Sequence, residues 1–93
     1  MATLIKPNGE IFIVLPKNDR FTLDELYNHL DCSTVQVVYL RNGIMWIDEE
    51  GKLKPHRTDQ INIEATELLI GAGGCLTDYI VGSALITDSN EIE

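Results

Sequence analysis

The sequence predicts an α+β domain: a mainly antiparallel sheet of about five strands with two helices packed on one face, in the order β-β-α-β-β-α-β. Three observations predict it. Short runs rich in branched residues alternate with Pro-Asn-Gly and Asn-Gly turn signals. Two other segments space their apolar residues at helical intervals behind a capping residue. The chain has 93 residues, 44% of them hydrophobic and 24% charged, which suits one small core and leaves little room for a deep cavity. A single domain over residues 1–93 is expected, with no linker and no internal repeat.

Thr3 to Lys6 and Ile11 to Leu15 read as the strands of a hairpin. Pro7-Asn8-Gly9-Glu10 joins them, proline fixing one φ and glycine admitting a positive one. After the polar loop Pro16 to Arg20, Thr22 and Glu25 make the T-x-x-E pattern of a capping box, so a helix is expected to start there. Leu23, Leu26, Tyr27 and Leu30 follow at i, i+3, i+4 and i+7 and should share a buried face, with Asp24, Glu25 and Asn28 in water. Thr34 to Leu40 and Ile44 to Asp48 form a second hairpin around Arg41-Asn42-Gly43, where the Asn-Gly pair suits a left-handed turn.

Pro55 to Gln60 is a polar connection. Asn62 is placed to cap a second helix whose Ile61, Ala65, Leu68 and Leu69 lie on one face. Gly71 directly after the apolar run is expected to take the left-handed position that ends this helix, with Gly73 and Gly74 in a flexible loop. Tyr79 to Thr87 is apolar on both faces and reads as a last strand near the middle of the sheet, with Gly82 as a bulge or close-contact point. The acidic tail 88–93 is expected to fray.

Charge narrows the function classes. Fifteen acidic against seven basic residues give a net charge of −8, which disfavours direct contact with nucleic-acid phosphates and with anionic membranes. Residues 1–47 carry only −1 of it. No lysine or arginine follows Arg57, while Asp59, Glu64, Glu67, Asp78, Asp88, Glu91 and Glu93 continue to the end. Such a surface can steer a basic partner, and it can equally serve solubility alone. The apolar runs are far shorter than the ~20 residues that span a bilayer, and the opening residues lack a secretory pattern, so a cytoplasmic protein is expected.

No catalytic constellation emerges, and an enzyme is not expected. In the segment ELLIGAGGC, Gly74 is followed by Cys75-Leu76 rather than the Lys and Ser or Thr of a Walker loop. The dinucleotide fingerprint also fails, because the predicted order is helix then strand. A module capturing a nucleotide through Gly71 to Gly74 remains the alternative to protein binding. Asp48-Glu49-Glu50 alternate in direction and read as a solvated turn rather than a cation site. His29 and His56 stand apart from any second histidine at ligand spacing, and Cys32 and Cys75 read as a reduced pair outside any metal motif. No metal and no cofactor are expected. Trp46 sits on the second hairpin, where it either packs in the core or serves as an interface anchor.

The stretches LIKPNGEI, IDEEGKLK, N-x-E-A-T-E-L from Asn62 and Tyr79-Ile80-Val81-Gly82 resemble a group of short uncharacterised proteins of bacteriophages and bacterial mobile elements. The resemblance implies a small acidic protein that acts on a host protein, with inhibitors of CRISPR or restriction systems as one such class. The expectation is a non-enzymatic module docking on a basic surface of a host protein, in the bacterial cytoplasm. Glu49, Glu50, Asp59, Glu64 and Glu67 are the candidate contact residues. A homo-oligomer built on open sheet edges is a third reading.

Overall fold

The structure is a computed structural model that describes residues 2–51, 61–74 and 78–92. Its elements run β1 (Ala2–Ile5), β2 (Ile11–Val14), α1 (Leu23–Leu30), β3 (Val35–Leu40), β4 (Gly43–Asp48), α2 (Ile63–Gly71) and β5 (Ala84–Thr87). The strands form one sheet in the order β2-β1-β5-β4-β3, with every neighbouring pair antiparallel. This is the expected α+β class, with five strands and two helices. The last strand lies at the centre, as its two apolar faces require.

The placement of the helices differs from expectation. They lie on opposite faces of the sheet. Leu26 and Leu30 of α1, with Phe21 before it, pack on Ala2, Leu4 and Leu85. Ala65 of α2 packs on Met45, Ile47, Ala84 and Ile80, with Leu69 beside them. Leu85 and Ala84 are successive residues of β5, so their side chains point to opposite sides. The physical cause lies in the middle strands. Trp46 and Leu85 face one way and Met45 and Ala84 the other, so each face has apolar surface to remove from water.

Local sequence accounts for most of the boundaries. Thr22 caps α1 through its Oγ1, which accepts from the Glu25 N–H at 3.3 Å, and the Glu25 carboxylate accepts from the Thr22 N–H at 3.2 Å. Leu26 and Leu30 are buried as expected, but Leu23 is exposed and does not join the α1 core. Gly43 does not take a left-handed conformation. It opens β4, and a Cβ there would stand 2.8 Å from the Thr87 carbonyl oxygen, so its missing side chain serves close strand packing.

Two further expectations are corrected. The last strand is confined to Ala84–Thr87. Val81 makes only an isolated bridge with Ile61, and Gly82, at φ 90°, turns the chain into β5. The tail is tied down through residue 92. Ser89–Glu91 form a 3₁₀ turn, the Phe21 N–H donates to the Glu91 carbonyl, and half-buried Ile92 packs against the α1 core. An apolar anchor at Ile92 therefore outweighs the polar character of its neighbours. No helix among the described residues is long and apolar enough to cross a membrane.

Candidate partner-binding surface

Glu49 and Glu50 leave the end of β4 on a built turn. The Glu50 N–H donates to Asp48 Oδ1 at 2.9 Å, the Thr34 hydroxyl donates to Glu50 Oε1 at 3.1 Å, and the Glu49 N–H donates to the Thr34 carbonyl at 3.3 Å. Thr34, just before β3, thus fixes where these two carboxylates emerge. Both side chains are exposed, while Asp48 is buried.

A cleft of about 250 Å³ opens beside this turn, lined by Gln36, Asp48, Glu49, Asp78 and Tyr79 over a floor that includes Leu69. Three acidic residues from two distant stretches of chain line it. No lysine, arginine or histidine is among the described residues that line it. Asp78 was not among the residues the sequence singled out, and nothing local marks it. It reaches the cleft because Asn62, which caps α2, and Thr66 within the helix grip the following segment: the Asn62 N–H donates to the Ile80 carbonyl at 2.7 Å and the Ile80 N–H to Thr66 Oγ1 at 2.9 Å.

The other candidate acids are placed apart. Glu64 is exposed on the first turn of α2, in a cleft shared with Lys6 and the Pro7-Asn8-Gly9 turn. Glu67, one turn later, lines a groove of about 510 Å³ with Arg41, Tyr39 and Leu68. A cation therefore stands in the surroundings of each helix carboxylate, whereas Glu49 shares its cleft with further acids. Asp59 and His56 lie outside the described residues, as does Cys75. Among the described residues no group of three His, Cys, Asp or Glu side chains has the geometry to hold a metal ion.

Trp46 is half-buried against the α1 core, and its indole N–H donates to Thr87 Oγ1 at 3.0 Å, so its polar edge is already engaged inside the fold. His29 is half-buried with its ring edge-on to Phe21, the centroids 6.2 Å apart. Cys32 is a half-buried thiol packed against the same core.

The glycine segment has a different construction from the one expected. Gly71 is the last residue of α2, and the left-handed residue is Gly73, at φ 97°. The Gly73 N–H donates to the Ile70 carbonyl at 3.1 Å and the Gly74 N–H to the Leu69 carbonyl at 3.0 Å, which is the hydrogen-bond pattern of a Schellman cap. A Cβ on Gly74 would stand 2.8 Å from both the Leu69 carbonyl oxygen and its Cγ. With the Ala72 N–H also donating to Leu68, the three amides that could cradle a phosphate are committed to helix carbonyls.

The family model described as a domain of unknown function (DUF3846) matches residues 1–93, the whole chain. No curated protein and no solved structure matches it.

Proposed function

The chain belongs to the DUF3846 family, a domain of unknown function, and we propose that it is a non-enzymatic protein-binding module that docks through its acidic surface onto a basic surface of another protein. The observation that carries this reading is the built turn at the end of β4, where Thr34 holds Glu50, and Glu49 and Glu50 both stand exposed beside a cleft that Asp48 and Asp78 also line. Like charges held together raise the local negative potential, and their field steers a positively charged partner over distances beyond contact. Glu50, held by Thr34 at the rim, extends the same field outward. Glu64 and Glu67 would add to it more weakly, since Lys6 and Arg41 stand near them. Asp59 completes the set of five candidate contacts.

The resemblance to short proteins of bacteriophages and bacterial mobile elements suggests where such a partner is found. We take the chain as an anti-defence protein of this origin, acting in the cytoplasm of a bacterial host. Its target would be the basic nucleic-acid groove of a CRISPR or restriction effector. A row of carboxylates can occupy a groove shaped for phosphates, and so inhibit without any chemistry of its own. The experiment is binding to a purified CRISPR effector and a purified restriction enzyme over a salt series. Affinity that falls steeply with salt, and is lost in the Glu49→Lys/Glu50→Lys double variant, supports the reading; no binding to either leaves the defence target without support, while the acidic docking itself is tested by capture from lysate.

A further inference from the structure

We propose that two copies of this chain pair edge to edge through β2, joining their sheets into one ten-stranded antiparallel sheet across a twofold axis. Apart from Lys6, whose Nζ stands 6.0 Å from the centre of the Phe12 ring, the edge carries no charged guard. Exposed sheet edges are ordinarily guarded by charge, proline or a bulge, because their free main-chain groups template further pairing. Here residues 11–15 read Ile-Phe-Ile-Val-Leu, with no charged side chain among them. Ile11, Ile13 and Leu15 are 56, 62 and 66% exposed, and Phe12 on the other side of the strand is 43% exposed. At the opposite edge, β3 has a single large exposed apolar side chain, Tyr39.

The register supplies self-complementarity. The Lys6 N–H donates to the Glu10 carbonyl at 2.9 Å, which makes Lys6 and Glu10 a hydrogen-bonded pair at the hairpin end. Alternation along the antiparallel ladder then makes Leu4–Phe12 and Ala2–Val14 hydrogen-bonded pairs too, so Ile11 and Ile13 turn their N–H and C=O groups away from β1. A twofold through Ile13 pairs Ile13 with its own copy and Ile11 with Leu15. Pro16 falls opposite Glu10, at a position whose missing N–H would not have joined the new ladder.

Charge favours a second copy as the occupant. In a chain of net −8, residues 6–17 contain two lysines and one glutamate, so the edge itself adds no acidic repulsion between copies. The same register brings Glu10 of one copy within one residue of Lys17 of the other at both ends. Pairing removes the outward main-chain groups of Ile11, Ile13 and Leu15 and part of their exposed side chains from water, an interface smaller than the ~1,200 Å² of stable complexes, so the dimer is expected to depend on concentration.

The test is mass by light scattering after size-exclusion chromatography, over a concentration series. The wild-type chain is expected to approach twice 10.4 kDa as concentration rises. Ile13→Lys should remain at 10.4 kDa throughout, and Tyr39→Lys on the opposite edge should pair as the wild type does. A wild type that stays monomeric, an Ile13→Lys variant that still pairs, or a Tyr39→Lys variant that does not, each overturns the proposal. Amide exchange in the unmodified chain gives a reading free of any folding defect. The Ile11 and Ile13 amides should become protected as concentration rises, and exchange that is equally fast at every concentration overturns the proposal as well.

Discussion

Asn62 shows how much one side chain can hold in so small a fold. Its Oδ1 accepts the Ala65 N–H at 3.0 Å and caps α2, while its Nδ2 donates to the carbonyls of Ile5 at 3.0 Å and Gly82 at 2.9 Å. The side chain is fully buried, so it joins the end of β1, the start of α2 and the turn into β5 away from water. The cap was legible from the sequence, since Asn before an apolar periodic run is a capping signal. The two amide bonds were not, because their acceptors lie 57 and 20 residues away and no local pattern encodes them. Asn62→Ala removes the cap and strands two buried carbonyls, which costs about 3 kcal/mol in all. Chemical denaturation should read that loss, and a cost below ~1 kcal/mol would leave the capping bond alone in account. Gly73 is a smaller case. Gly73→Ala forces a Cβ into a left-handed conformation and should cost about 1 kcal/mol, whereas Gly71→Ala, inside the helix with open space around it, should be neutral or stabilising.

At the scale of elements, α1 is where sequence and structure agree most closely, because a capping box is a local device written in four residues. Glu25 does more than the box requires. Its Oε2 also accepts the Lys17 N–H at 3.1 Å, so the helix start holds the loop that leaves β2. The Lys17 main-chain hydrogen bond, opposed by some desolvation and aided by the Thr22 N–H and the Lys17 charge, keeps the Glu25 carboxyl below its ordinary range. Partial burial pushes the Glu91 carboxyl up, but the Asp88 N–H it accepts from and an attracting positive charge bring it below as well. For a carboxyl whose folded pKa is depressed, the stabilisation is complete above the unfolded value, about 4.3, and is lost as pH falls through the lower folded value. The melting temperature of the wild type should therefore fall more steeply below about pH 4.3 than that of Glu25→Gln. Parallel profiles would remove Glu25 from the account. The hairpins were legible from their turns, but the side on which each helix packs was not. Helical periodicity marks which residues of a helix are buried and carries no information about which sheet face receives them.

For the whole molecule, the net charge of −8 was plain in the sequence, yet its distribution had to wait for the fold. Among the candidate acids, Glu49 and Glu50 emerge together from the β4 end, whereas Glu64 and Glu67 each stand near a cation. Asp78 joins Glu49 only because β5 enters the middle of the sheet and α2 holds the segment before it. The glycine segment was legible from its flanks as a helix end, with a nucleotide loop as the alternative, and its amides are occupied in ending α2. The acidic cleft and the open β2 edge are thus separate surfaces, one charged and one apolar. Edge pairing between copies should accordingly survive the Glu49→Lys/Glu50→Lys change, which alters only the former.

Docking of a basic partner on the acidic surface around Glu49, Glu50 and Asp78 is open to direct assay. Affinity capture from bacterial lysate, with the wild type and the Glu49→Lys/Glu50→Lys variant side by side at low and high salt, tests it most directly. A basic protein should be retained by the wild type at low salt, released at high salt and absent from the variant, since interactions between exposed charges are screened within about 10 Å at 0.1 M salt. Retention of the same proteins by both forms, unchanged across the salt range, would contradict it.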